Sequence, residues 1–426
     1  MTKLFNLFAN PEVTPGRSLH LGTVEAQLLQ SKHRSCFRLL VMQSSSANPK
    51  RMLMMILTIL SGTFCAVCVL LHCTSILAVI ARHSKSSGLL QHNEGVSIVR
   101  PVCGVENFSA ATLGSAFHLD YPKYEILFCA AHAGDAVLPL VRRLIAAHPG
   151  VPARILVGND PISTNPKLNN AVKGWDAARH PWIVMADSNV LMPRDYIQRL
   201  LARWGADCGL VCSPPIGSAP DGAWAELECT FLNSYQARWQ CFADSIGIGF
   251  AQGKTMLWRR EILEREGGIR ALACELAEDA AATKLVTRQG LRVRLVDRPF
   301  RQPLGSRTAG EVWWRQLRWA RLRRDTFKMF FAVEIFAGGV PPVVACAIVV
   351  TTMRWPIGIL PSFAFAWYLA EAALAYAVGW HLSWRPLVLS VLRDLLLPVL
   401  WFAAWMGDEL VWHGNVMRIA QPGSAA

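Results

Sequence analysis

The distribution of apolar and polar positions divides the chain into stretches of different character. Residues 53–81, LMMILTILSGTFCAVCVLLHCTSILAVIA, carry no Lys, Arg, Asp or Glu and are long enough to cross a bilayer as one helix. From about residue 94 to residue 310 the pattern changes. Short β-rich runs, VSIVR (96–100), YEILFC (124–129), ARILVG (153–158), PWIVMAD (181–187), GLVCS (209–213) and RVRLV (292–296), alternate with stretches of helical period at 135–148, 165–179, 193–203 and 222–240. This alternation predicts an α/β domain: a doubly wound, mostly parallel sheet with helices on both faces. After residue 328 come three more apolar stretches, near 329–353, 356–380 and 387–406, each interrupted by proline, glycine or a charge. Such interruptions suit spanning, re-entrant and interfacial segments alike.

The organisation that follows is a flexible basic tail (1–51), a transmembrane helix (52–82), a globular domain (94–310), an interfacial helix (311–328), membrane segments (329–406) and a C-terminal tail (407–426). A cleaved signal peptide is a poor reading of the start, because the apolar run begins late and is too long. Composition agrees with membrane residence. The 426 residues are 52% hydrophobic and only 17% charged, too apolar for an ordinary soluble enzyme. A net charge of +13 comes without any nucleic-acid-binding motif, so anionic lipid is the expected partner rather than DNA or RNA. Of the twelve cysteines, Cys65, Cys68 and Cys73 lie within the first apolar run and read as small apolar residues. The scatter of the others suits a reducing compartment. Basic residues flank the first span on both sides (Lys50 and Arg51, Arg82 and Lys85), so charge alone does not orient it.

Candidate chemistry begins with the run that ends on Asp187, followed by Ser188 and Asn189. A carboxylate at the end of a buried strand needs a cationic counterpart. Open α/β sheets bind ligands at the carboxyl ends of their strands. Capping of a turn before the next helix is the plainer alternative. Neither GxGxxG nor GxxxxGK[ST] occurs, so a dinucleotide fingerprint and a P-loop are both excluded. Asp135 follows the second strand, and Asp279 sits in ELAEDAAATK where a helix should begin. For the Glu278–Asp279 pair, the rival explanation is an acidic first turn favoured by the helix dipole. In WWRQLRWARLRR (313–324), Arg315, Arg318, Trp319 and Leu322 share one arc at about 100° per residue. A basic helix that only anchors the domain to lipid would look the same. Arg393 and Asp394, inside LVLSVLRDLLLPVL, are unusual in an apolar segment.

Taken in order, VSIVRPVCGVENF (96–108), LDYPKYEILFC (119–129), NPKLNN (165–170), ADSN (186–189), AEDAAATK (277–284) and RQLRW (315–319) resemble the ceramide glucosyltransferase family, in its bacterial branch. The resemblance covers about residues 95 to 320 and implies a membrane-bound inverting glycosyltransferase of GT-A fold. It implies transfer of a hexose, glucose from UDP-glucose, to the primary hydroxyl of ceramide. The alternative is a UDP-GlcNAc-dependent enzyme acting on another membrane lipid, such as a hopanoid. A processive polysaccharide synthase would carry a longer motif and more spans. A scaffold or transporter would have no use for Asp187, Asp279 and Arg318 together. In the enzyme these residues take roles. Asp187 would hold a divalent cation, Mg²⁺ or Mn²⁺, on the donor diphosphate. Asp279, with Glu278 beside it, would be the general base. Asp135, Gly104 and Lys167 would contact the UDP-sugar, while Asn169 and Asn170 brace the loop. Arg315 and Arg318 would clamp phosphate, with Trp319 at the acceptor or the membrane interface. Asn189 stands where relatives often have glycine, and His132 where they often have an acid. Because nucleotide sugars are cytosolic, residues 94–328 are expected in the cytosol. A preference for Arg over Lys suits a bacterial inner membrane. No nucleic acid and no obligatory protein partner is implied.

Overall fold

The structure, a computed structural model, describes residues 49–85 and 94–407, and the backbone of the strands Glu409–Trp412 and Asn415–Arg418. The expected tail at 1–51 lies almost wholly outside the described residues. By its contacts the chain divides between residues 60 and 61, inside helix α1 (Pro49–His83). Up to residue 60 the described part of α1 is mostly exposed apolar surface; beyond it Ser61, His72, Ser75, Ile76, Val79 and Arg82 are buried.

Nine strands follow: β1 (Val96–Val102), β2 (Tyr124–Ala130), β3 (Ala153–Val157), β4 (Trp182–Ala186), β5 (Cys208–Cys212), β6 (Ile216–Asp221), β7 (Thr255–Arg259), β8 (Arg292–Leu295) and β9 (Arg301–Ser306). Seven of them form one sheet in the order β3-β2-β1-β4-β7-β5-β8. Only β7 runs against its neighbours. β6 and β9 pair in parallel as a separate two-stranded sheet. Helices α2 (Leu138–Ala147), α3 (Pro166–Ala177), α4 (Ala223–Thr230), α5 (Arg238–Ser245) and α6 (Glu278–Arg288) complete the domain.

The sheet buries both faces, which is why its strands read as continuous apolar runs rather than alternating ones. Ile98, Ile126, Phe128 and Val184 enter one core, and Val99, Leu127, Ile183 and Met185 the other, with Trp175 of α3. Packing there is tight enough that a Cβ on Gly174 would stand 2.5 Å from Val99 Cγ1 and 2.6 Å from Cys129 Sγ. All six sequence-predicted strands are present. β6, β7 and β9 are additional. The stretch 222–240, expected to be one helix, is instead α4, a π-helical turn at Phe231–Ala237, and α5.

Beyond the domain lie α7 (Ala309–Thr326), α8 (Lys328–Val333), α9 (Val340–Thr352), α10 (Ile359–Val378) and α11 (Arg385–Trp405). Thr308 and Glu311 form a capping box at the start of α7. Among the described residues three helices, α1, α10 and α11, are long and apolar enough to cross a membrane. The pair formed by Lys328–Phe336 and α9 makes a fourth candidate, bent by 45° at Gly338 and Gly339. Arg393 and Asp394, whose place the sequence left open, are fully buried. Arg393 Nε donates to Asp394 Oδ1 at 2.7 Å, and its Nη atoms reach the Glu371 carboxylate at 3.0 and 3.2 Å. Asp394 Oδ2 in turn accepts from Gly339 N at 2.6 Å, pinning the bend.

Candidate active site

Four chain segments meet at the carboxyl end of β4. Asn165 caps α3, its side chain accepting from the backbone N–H of Lys167 (3.0 Å) and Leu168 (3.2 Å), and Pro166 occupies the first turn. This cap fixes Lys167 at the site. Its ammonium donates to Asp187 Oδ1, Glu278 Oε1 and the Gly253 carbonyl, each at 2.6 Å. All three of its N–H donors are thereby engaged. Asp187, one residue past β4, also pairs through Oδ2 with Lys254 Nζ at 2.8 Å. Lys254 Nζ further donates to Asn189 Oδ1 at 3.3 Å. Burial alone would raise the Asp187 carboxyl, but the two lysines outweigh it and hold the group down at about 2. Burial would likewise lower Lys167; its two carboxylate partners drive it upward instead.

Asp279 stands next in space. Its Oδ2 accepts from Gly253 N at 3.0 Å and its Oδ1 from Ala280 N at 2.9 Å, so it is held by backbone donors and not by a cation. Burial, and then the charge of Glu278, pushes its carboxyl up to about 6, against the pull of Lys167. Two neighbouring carboxylates thus titrate far apart, the pattern that separates a fixed anion from a proton acceptor. Glu278 itself is tied to Lys167 and to Asn165 Nδ2 at 2.7 Å. Gly253 leaves no room for a side chain, since a Cβ there would lie 2.8 Å from Glu278 Oε1.

On the far side of β1 a second loop pair adjoins the site. Asp135 Oδ1 accepts from Gly104 N at 2.9 Å and Val137 N at 3.0 Å, joining the loops after β1 and β2. Gly104 has φ +65, a conformation that suits glycine. Asn170 donates to the carbonyl of Cys129 at 2.6 Å and Asn169 to that of Ser163 at 2.8 Å, the loop-bracing role expected of them. Arg100, fully buried in β1, donates to the carbonyls of Asp187, Ser188 and Val190 at 3.0, 3.0 and 3.2 Å. The Asp-Ser-Asn turn is therefore shaped from beneath by an arginine.

The sequence profile of glycosyl transferase family 21 matches residues 54–425. The chain belongs to glycosyl transferase family 21. Ceramide glucosyltransferase 1 of Caenorhabditis elegans is 24% identical over 344 residues, covering 77% of this chain and 72% of the worm protein. The ceramide glucosyltransferase of Komagataella phaffii is 41% identical over 101 residues, 23% of this chain and 20% of the yeast protein. A mannosyltransferase from Pyrobaculum calidifontis, solved with GDP-Man and Mn²⁺, superposes with a TM-score of 0.44 at 16% identity, covering 81% of this chain and 98% of that one. The mostly parallel sheet with flanking helices is of GT-A type.

In this glycosyltransferase the residues foreseen from sequence do not all share one place. Lys167, Asp187, Glu278 and Asp279 are brought together; Asp135 and Gly104 pair with each other beside them. On α7 the two arginines differ. Arg315 is ion-paired with the carboxylate of Glu228, a residue with no exposed surface that also meets Arg307 at 3.3 Å. The phosphate clamp expected of Arg315 is thus committed to a buried protein carboxylate, and its place in the fold is to fix α7 against α4. Arg318 lies in the field of Asp187, and burial, reinforced by Arg315, draws it down to about 10, so it stays cationic. Trp319 packs against Ala225, Cys229, Leu232 and Leu304, away from the exposed surface that a lipid anchor would need. Sequence reasoning missed Lys254, Arg100 and Glu228. An arginine inside the apolar run of β1 was a signal for the second of these; Lys254 gave none.

The donor set suits a divalent cation on the donor. Asp187 offers hard oxygens at a strand end, and positive charge from two ammoniums already gathers on it. Among the described residues no three His, Cys, Asp or Glu side chains cluster as a metal cage. One carboxylate is enough for Mg²⁺ or Mn²⁺ when substrate phosphates supply further ligands.

Proposed function

We propose that this glycosyltransferase transfers glucose from UDP-glucose to the primary hydroxyl of ceramide in one inverting step, at the cytosolic face of the membrane. The observation that carries the reading is Asp279: a buried carboxyl raised to about 6, held by the Gly253 and Ala280 N–H groups, beside a cluster of lysines on Asp187. The base accepts the acceptor hydroxyl's proton as its oxygen attacks the anomeric carbon. Glu278, locked to Lys167, keeps its charge and so keeps Asp279 basic. Asp187 holds the diphosphate end of the donor through a divalent cation, which when bound neutralises charge growing on the leaving group. Arg318 adds a planar cation for phosphate oxygens. Asp135 and Gly104 face the nucleoside part. The lipid acceptor arrives along the membrane helices that follow α7. Ceramide as acceptor rests on the named relatives.

Membranes expressing the protein, given labelled UDP-glucose, UDP-galactose or UDP-GlcNAc with ceramide, should form one β-linked glucosylceramide. A product on a non-sphingoid lipid, or an α-linkage, would overturn the reading. Asp187→Ala, or excess EDTA, should lower the rate by about 10²–10³-fold, the scale for losing one preorganised electrostatic group. Full activity in EDTA would contradict the cation's part. The pH profile carries a sign. Asp279 works as the anion, so kcat/KM should rise with pH through about 6 and level off above it. A profile flat across that range would remove Asp279 from the role.

A further inference from the structure

Lys254 is a residue that nothing in the motif set marks, yet it holds one of the two Asp187 oxygens. Its position is fixed by the sheet: β7 runs antiparallel to β4, and Asp187 N donates to the Lys254 carbonyl at 3.0 Å. The side chain then bridges Asp187 Oδ2 and Asn189 Oδ1. The four groups Asp187, Glu278, Lys167 and Lys254 sum to zero charge when all are ionised. A dication entering alone would face two ammoniums, and a diphosphate entering alone would face Asp187. The two together bring nearly compensating charge. A site balanced in this way favours joint binding over either partner alone, a coupling free energy between metal and nucleotide.

Of the two lysines, Lys254 is the one able to let go. Lys167 holds two carboxylates and a backbone carbonyl, and releasing it would strand Glu278. Lys254 holds one carboxylate and one amide oxygen, and its side chain is 16% exposed. We infer that Lys254 is a donor-binding residue that occupies Asp187 until the nucleotide sugar arrives, then turns its ammonium to the diphosphate oxygens and yields the carboxylate. This inference rests on Asp187 being the donor–cation site proposed above. It makes Lys254 the reason that metal and nucleotide bind together.

The test uses the full-length protein in nanodiscs and two binding measurements that need no turnover. Free Mn²⁺ is followed by its paramagnetic resonance signal, with and without UDP, and UDP binding is titrated calorimetrically in EDTA. In the wild type, UDP should tighten Mn²⁺ binding by about tenfold or more, within the usual range of coupling between sites. Lys254→Met should bind Mn²⁺ without UDP about tenfold more tightly than the wild type, and bind UDP in EDTA about tenfold less tightly, the effect of one charge-assisted hydrogen bond. Lys254→Arg keeps the cation and should keep the coupling. Lys254→Gln, which retains hydrogen bonding, is measured in parallel so that poor folding of the Met variant does not decide the result. If both neutral variants keep wild-type Mn²⁺ and UDP affinities while the wild type binds both ligands, the role of Lys254 is overturned and the donor site stands. If the wild type binds no UDP with or without Mn²⁺, the donor-site reading fails and takes the inference with it.

Discussion

Asp279→Asn should lower turnover by about 10²–10⁴-fold, the usual contribution of a positioned general base, while leaving UDP affinity nearly unchanged. The reasoning starts from its partners. Both carboxylate oxygens accept backbone N–H groups, from Gly253 and Ala280, and neither meets a cation directly. An asparagine fills the same space and loses the proton-accepting capacity. It also turns an amide N–H toward one backbone donor, so some stability is lost with it. Single-turnover rates combined with calorimetric titration of UDP separate the effects. Arg318→Lys is the companion variant, keeping charge but losing the planar fork, and it should weaken UDP binding along with turnover. An Asp279→Asn enzyme that turns over near the wild-type rate, or one that no longer binds UDP while Arg318→Lys still does, would reverse the two assignments.

The second large effect lies away from the chemistry. Arg393→Met should destabilise the protein by about 3–5 kcal/mol, the cost of removing one partner from a buried ion pair. Arg393 joins Asp394, both oxygens of Glu371 and the Ser234 hydroxyl at 2.6 Å. Glu371 also pairs with Arg238 at 3.5 Å, and Arg238 meets His72 at 2.8 Å. Removing Arg393 leaves Asp394 and Glu371, 0% and 3% exposed, without their main countercharge. Denaturation in detergent should show the loss. The triple change Arg393→Met, Glu371→Gln, Asp394→Asn should recover much of it, because no buried charge is then stranded. A single variant as stable as the wild type would mean that the network carries little energy.

What the sequence revealed follows from how far apart the interacting residues lie. β1 to β5 and β8 were legible because each is a local apolar run buried on both sides. β7 was hidden: Thr255–Arg259 is short, ends in arginine, and gains its identity from pairing with β4 some seventy residues earlier. β6 and β9 were hidden because proline and glycine interrupt both, in IGSAPD and RQPLGS. At the site, Asp187, Asp279 and Lys167 were legible through motifs in a fixed order. Lys254 was not, since its partnership depends on the β4–β7 register. Arg315 looked like Arg318 on a helical arc, and only the tertiary position of Glu228 tells them apart. The break at Gly338 and Gly339 was visible as composition, but the carboxylate that pins it comes from Asp394, far along the chain.

The π-helical turn at Phe231–Ala237 has a consequence for how this protein tolerates insertions and deletions. A π-turn is an α-helix with one residue too many. Deleting any one residue from 231–237 would restore ordinary winding and leave every buried apolar side chain of about the right kind. It would also swing all that follows by about 100°. Arg238 would then face away from His72, Ser75 and Glu371, and the sugar-transfer domain would lose its fixed azimuth against the membrane helices. What is inherited at this point is a count of residues more than their identity. Substitutions in 231–237 should therefore be better tolerated than a one-codon deletion.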